Sequence, residues 1–245
     1  MIRNLKMKKT LYAFDFDHTI LKDNSDTEVT KLVDSPLPEA IRNFYDGTNW
    51  TQFMNKVFEF LRDQGVTVED MKELITKMNP TPGMVSLLQE IHHRKSLSDS
   101  KLFIISDAND IFINTFLNSI NVTADCIITN KASITTRGAL HIDPYENSDC
   151  PICPKNLCKG SALEEHIKSS SFSVVVYVGD GHNDICPGIK LSDQDFLFAR
   201  RGYSLEKILN LGKVKGKRKT EINFDIKAQI HFWEDATSIL NVVFA

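Results

Sequence analysis

Two aspartates one residue apart close the apolar run of "LYAFDFDHTI", at Asp15 and Asp17. A carboxylate at the end of a buried run is costly, because burial penalises its charged form. On a strand, side chains at i and i+2 point the same way. Both carboxylates are therefore expected to face one small volume beyond a sheet, with Phe16 turned into packing. Two carboxylates that close repel, and one must take up a proton or share a cation. Mg²⁺, a hard ion that prefers oxygen ligands, resolves the conflict.

Three further segments carry matching chemistry. "FIISDAND" delivers Ser106 at a strand terminus, with Asn109 placed to cap the next helix. A hydroxyl and free backbone N–H groups at a helix start suit a phosphate-sized anion. "NLCKGSALEEHI" puts Lys159 at or just before a helix start, where the helix dipole disfavours a cation unless an anion offsets it. "VVVYVGDGHNDICPG" ends a buried run in Gly179-Asp180-Gly181, and Asp184 follows four residues after Asp180. The glycines let the backbone turn sharply and bring two more carboxylates to the same end of the sheet. A metal held by Asp15, Asp180 and the Asp17 backbone carbonyl, with Asp184 holding coordinated water, follows as the expected arrangement.

These residues need elements to hold them. Apolar runs without polar alternation, "TLYAF", "KLFIIS", "CIIT", "SVVVYVGD" and "DFLFA", read as strands buried on both faces of a parallel sheet. Between them lie helical patterns. "TPGMVSLLQEIHH" offers Thr81 as N-cap, Pro82 at the first helical position, and a face of Met84, Leu87, Leu88 and Ile91. "NDIFINTFLNSI" places Ile111, Phe112, Thr115, Phe116 and Ile120 on one face. Strands alternating with helices predict an α/β fold with a Rossmann-like parallel core. From about Asp23 to Asn79 the pattern is helical only: Trp50, Phe53, Met54, Val57, Phe58 and Leu61 recur at helical spacing. Thr67 and Asp70 then form a capping box before Met71, Leu74, Ile75 and Met78. Residues 1–22 and 81–245 are expected to form the catalytic core, and 23–80 an inserted α-helical cap over the carboxyl end of the first strand. That end is where open parallel sheets bind ligands.

In the order DxDxT, S, K, GDxxxD, the segments resemble the haloacid dehalogenase superfamily, whose members are mostly phosphatases. More narrowly, "DFDHTI…DNSD", "SDAN", "CPICPKNLCKG" and "GDGHNDICPG" resemble the phosphoethanolamine/phosphocholine phosphatase family, which also contains pyridoxal phosphate phosphatase. His18 departs from the relatives, which carry other polar residues there. The resemblance implies a Mg²⁺-dependent phosphoric monoester hydrolase acting on a small phosphomonoester, pyridoxal 5′-phosphate or phosphoethanolamine/phosphocholine, through an aspartyl-phosphate. It implies Asp15 as nucleophile and Asp17 as general acid and base, with Thr19 steadying Asp17 or its loop. Lys159 and Ser106 would bind the phosphate, Asp15, Asp17, Asp180 and Asp184 would serve the metal, and Asp26 and Asp107 would meet the rest of the substrate.

The remaining features exclude more than they assign. A net charge of −3 with both signs interspersed draws the chain to neither nucleic acid nor membrane, and no apolar stretch would cross a bilayer. The basic start "MIRNLKMKKT" reads as a solvated arm, and "KVKGKRK" (213–219) as a solvated loop. Five cysteines, Cys126, Cys150, Cys153, Cys158 and Cys186, make a poor disulfide framework and fit a reducing, cytoplasmic location. Cys150, Cys153 and Cys158 supply three zinc ligands, and a fourth would have to be Asp149 or His141; a reduced, packed loop before Lys159 is the plainer reading. His182 draws no role. An alternative function, a non-catalytic phospho-accepting switch, shares an acidic cluster, a hydroxyl and a lysine but lacks a second acid like Asp17 and a cap.

Overall fold

The structure, a computed structural model, describes residues 8–244 apart from 46 and 48, together with all side chains in that range except that of Ser96. The basic arm expected at the N-terminus lies largely outside the described residues. A seven-stranded sheet runs in the order β4-β3-β2-β1-β5-β6-β9. Its members are β1 (Thr10–Phe14), β2 (Lys101–Asn109), β3 (Cys126–Ile134), β4 (Leu140–Asp143), β5 (Val174–Gly179), β6 (Phe196–Arg200) and β9 (Gln229–Trp233). All pairs are parallel except β3 with β4. Two short strands, β7 (Lys213–Lys215) and β8 (Glu221–Asn223), form a separate hairpin. The basic run is therefore partly a strand and a turn, not a loop. Val214, buried between charged neighbours, anchors it.

The helices are α1 (Ser25–Glu28), α2 (Glu39–Arg42), α3 (Trp50–Asp63), α4 (Val68–Lys77), α5 (Met84–Ser98), α6 (Asp110–Ser119), α7 (Lys159–Ser169), α8 (Ile185–Lys190), α9 (Ser204–Leu211) and α10 (Ala236–Phe244). Strand alternation splits the core into two layers. Tyr12, Phe14, Ile104, Val176 and Val178 face α3, α4, α5, α6 and α10. Leu11, Ala13, Phe103, Ile105, Val175 and Tyr177 face α7, α8 and α9. Both faces of β1 and β5 are covered, which explains their unbroken apolar runs.

Helix α5 presents the expected face of Met84, Leu87, Leu88 and Ile91, all buried. Its start differs from expectation. The Thr81 hydroxyl donates to Leu21 O, so Gly83, at φ 75°, stands before the first helical residue. Asn109 does cap α6, accepting from Phe112 N; Phe112 and Phe116 are buried as expected, joined by Ile113 and Leu117, while Ile111 and Ile120 pack against the core partly buried. Thr67 and Asp70 form their capping box at α4.

Chain order reverses at β1, with β2 on one side and β5 on the other, so the carboxyl end of β1 is the switch point of the sheet. Between β1 and α5 the regular elements among the described residues are helices, joined by turns and irregular stretches, with one isolated bridge, Leu21 to Pro80. Around it Lys22 N donates to Asn79 O and Thr81 N to Ile20 O, pinning the entry and exit of this segment together. Asn55 of α3 holds the backbone of Ile142 on β4 from both sides, donating to its carbonyl (2.9 Å) and accepting from its N–H (2.7 Å).

Candidate active site

Asp15 lies one residue beyond β1, its N–H still bonded to Val178 O at 2.9 Å. At Phe16 the chain turns: Ile20 N and Leu21 N both donate to Phe16 O. Phe16 itself is buried against Phe116. Beyond this turn the two carboxylates take different partners, while both stand near the Lys159 ammonium. Asp15 points at Lys159, with Nζ to Oδ2 at 2.8 Å. Asp17 points at the start of α1, accepting from Ser25 N (2.8 Å) and Asn24 Nδ2 (3.3 Å).

Lys159 opens α7 and is 1% exposed. Its ammonium bridges Asp15 and Asp184, at 2.8 and 2.9 Å, so carboxylates offset the unfavourable dipole position. Burial alone would lower its pKa, but the surrounding Asp15, Asp184 and Asp107 carboxylates reverse that and raise it. Asp184 is completely buried and fully engaged. One oxygen accepts from Lys159 and from the Tyr177 hydroxyl (2.7 Å); the other accepts from the N–H groups of Asp180 (3.0 Å) and Gly181 (2.8 Å). Thr19, expected to steady Asp17 or its loop, donates to Asp180 Oδ1 at 3.1 Å, tying the loop after β1 to the end of β5. Gly179 makes this packing possible, since a Cβ there would lie 2.5 Å from the Asp184 carboxylate. Gly179→Ala is therefore expected to displace Asp184, with a stability loss of about 1–3 kcal/mol as in overpacked cores. Thermal denaturation checks this, and an unchanged Tm would contradict it.

Oxygens of Asp15, Asp180 and Asp184 all lie within 4.8 Å of one another. Three formal negative charges face one ammonium. Burial, reinforced by mutual repulsion, pushes Asp15 and Asp180 up to about 8 each, against the opposing pull of Lys159. An all-oxygen donor set with two excess negative charges fits one hard divalent cation. The Asp17 carboxylate is outside this trio.

A second acidic group gathers around α1. Burial and the neighbouring Asp26 push Asp17 up to about 7. Burial, with Asp107 nearby, does the same for Asp26, at about 7. Asp26 is 1% exposed; Trp50 Nε1 donates to its Oδ2 at 2.9 Å, while its Oδ1 is buried without a hydrogen-bond partner. Asp107, pushed up to about 6 chiefly by burial, accepts from Asn156 (3.2 Å) and Asn183. Ser106 is buried where the register of β2 against β3 shifts between Ile105 and Asn109, and its Oγ accepts from Ala108 N at 3.3 Å. Such irregularities re-aim side chains near sites. Tyr177, Asn156, Asn183 and Trp50 were not singled out from the sequence; Tyr177 bonds Asp184 seven residues on, and the other three reach acids 24 to 76 residues away. His182 contacts the Lys215 carbonyl at 2.8 Å.

A switch-point sheet with a lysine-bridged acidic trio at its carboxyl edge defines a phosphatase of the haloacid dehalogenase type. A solved substrate-bound phosphoserine phosphatase complex shares the fold, with a TM-score of 0.63 at 20% identity over 96% of this chain and 99% of its own. Within that class the chain belongs to the family described as "Putative Phosphatase", whose model matches residues 10–245. It is 39% identical to the Homo sapiens pyridoxal phosphate phosphatase PHOSPHO2, over 82% of this chain and 86% of that one. To the Homo sapiens phosphoethanolamine/phosphocholine phosphatase it is 30% identical, over 94% and 86%.

Proposed function

We propose that the chain hydrolyses a small phosphomonoester bearing a cationic nitrogen, pyridoxal 5′-phosphate foremost, with phosphoethanolamine and phosphocholine as the nearest other substrates. The observation that carries this is the pairing of two acidic groups, one held by Lys159 at the sheet edge and one facing the inserted helices. Asp15 attacks phosphorus: the Oδ–P bond forms as the ester P–O bond breaks, giving an aspartyl-phosphate. Asp17, pushed up to about 7, gives its proton to the leaving oxygen and then takes one from the water that cleaves the aspartyl-phosphate. Hydrogen bonds from Ser25 and Asn24 make the position of this acid depend on residues 23–80, which we read as a cap over the site.

Lys159 offsets charge on Asp15 and on the phosphoryl oxygens, and Ser106 binds those oxygens. Mg²⁺ would be held by Asp15, Asp180 and the Asp17 carbonyl, where it would keep Asp15 ionised and stabilise charge on the transferring phosphoryl group. Asp184, already saturated, positions Lys159 and the loop of Asp180. The unpartnered oxygen of Asp26, with Asp107 beside it, suits a protonated ring nitrogen or an amine. Tyr45, Trp50 and Phe53, with ring centroids 5.4–5.6 Å apart, place an aromatic group next to Asp26 and favour the ring-bearing substrate.

Phosphate release across a few dozen metabolites, with Mg²⁺ present, tests this reading. Pyridoxal 5′-phosphate is expected to rank first; a preference for esters lacking a cationic nitrogen would refute the substrate class. In the same assay Asp26→Asn should raise KM for pyridoxal 5′-phosphate by about 10–100-fold, the value of a charge-assisted hydrogen bond, and leave a neutral ester unchanged. Equal effects on both esters would remove Asp26 from substrate recognition.

A further inference from the structure

The three clustered cysteines gain a fourth partner in three dimensions. Sγ atoms of Cys150, Cys153, Cys158 and Cys186 lie within 4.8 Å of one another, and Cys150 and Cys186 approach to 3.6 Å. Neither Asp149 nor His141 joins them; His141 pairs with Asp143 on β4. All four are free thiols, three of them buried. Sulfurs around one zinc ion at about 2.3 Å would stand about 3.8 Å apart, close to the spacing already present.

The surrounding backbone is arranged as a ligand loop. Cys153 N donates to Cys150 Sγ at 3.4 Å, and Ser161 Oγ donates to Cys158 Sγ at 3.3 Å. Donors aimed at sulfur stabilise a thiolate, the form that binds metal. Cys158 is the N-cap of α7 and makes no side-chain cap bond, so its sulfur sits at the positive end of that helix. Cys153 reaches Asn183 O through sulfur at 3.7 Å. Gly160 lets the elements meet: a Cβ there would lie 2.7 Å from the carbonyl carbon and oxygen of Cys186. The basic run also finds a place. Lys217 N donates to Pro151 O, and Lys155, Lys217 and Arg218 line the same depression as Cys150, offsetting the charge that four thiolates around a divalent ion would carry.

We infer that Cys150, Cys153, Cys158 and Cys186 form a tetrathiolate site for a structural Zn²⁺, separate from the acidic trio. Its four ligands complete the coordination that zinc takes in closed structural sites. The segment between β4 and α7, residues 144–158, has no regular secondary structure, and a cation there would staple it to α8. Cys158 immediately precedes Lys159, and Cys186 follows Asp184 by two residues, so the staple would hold both ends of the Lys159–Asp184 salt bridge. The inference does not depend on what the acidic site does.

Metal analysis of the full chain, purified under reducing conditions and offered zinc, tests it. About one zinc per chain is expected in the wild type and in Asp180→Asn, and a tenth or less, roughly, in Cys158→Ser and Cys186→Ser. Cobalt substituted into the wild type should give strong sulfur-to-metal charge transfer and the intense visible bands of tetrahedral coordination. That spectrum decides the matter even if a serine variant does not fold. Zinc that is not taken up, zinc lost in Asp180→Asn, a cobalt spectrum of weak oxygen-ligand type, or a Cys150–Cys186 disulfide in the zinc-treated protein would each overturn the assignment.

Discussion

Asparagine in place of Asp15 is expected to lower phosphate release by about 10⁴-fold or more, because the carboxamide cannot form the aspartyl-phosphate. The change is nearly isosteric, so Lys159 keeps its bond to Asp184 and Phe16 N keeps an oxygen acceptor. Removing one of three mutually repelling carboxylates should leave the metal-free fold as stable as before, or more so. Loss of turnover with an unchanged or raised Tm therefore separates chemistry from unfolding. Turnover at the wild-type level would refute Asp15 as nucleophile. A protein that accumulates phosphate covalently on Asp15 without releasing it would instead restore the switch reading.

Chelation followed by Mg²⁺ addition should produce the second large effect, loss and full recovery of activity, and the same ion should change how stability depends on pH. Asp15 and Asp180 stand at about 8 in the folded protein, above their ordinary value of 3.8. In that window the native state retains protons that the unfolded chain has released. Metal-free stability therefore falls as pH rises from about 4 to about 8 and levels off beyond. Lys159, raised from an already high value, does not titrate there. Mg²⁺ at about a hundred times its Kd at pH 8 adds about 2.7 kcal/mol, or roughly 5–10 °C in Tm for a chain of this size, and the same concentration adds less at pH 5, where protons compete for the carboxylates. Thermal melts across pH with and without Mg²⁺ measure both quantities. A flat metal-free profile together with full activity in chelator would dismiss the cation. Mg²⁺ should reverse chelation at the acidic trio but not the release of zinc from the thiolates by a mercurial, so the two metals can be told apart.

Much of the core could be read from residue order because β1, β2, β5 and β6 are buried on both faces and show it as unbroken apolar runs. Strand β9 escaped notice since "QIHFW" is a half-exposed edge, and its residues become ordered by pairing with β6. Strand β4 is only four residues long and the β7–β8 hairpin is short and mostly polar, and their pairing depends on partners brought near by the fold. Local chemistry likewise marked Asp15, Asp17, Ser106, Lys159, Asp180 and Asp184, for acids and a lysine at strand and helix ends are expensive without a purpose.

Direction, however, was a tertiary matter. Spacing put Asp15 and Asp17 on one side of a strand; the turn at Phe16 sends one carboxylate to Lys159 and the other to Ser25. Thr19 crosses to Asp180, Trp50 reaches Asp26, and Cys186 completes a thiol cluster begun at Cys150. Residue type and short-range spacing determine which groups are costly enough to need partners. Partners 24 to 161 residues away are chosen only when strands pair and helices pack, because a hydrogen bond or salt bridge depends on positions that no local pattern encodes.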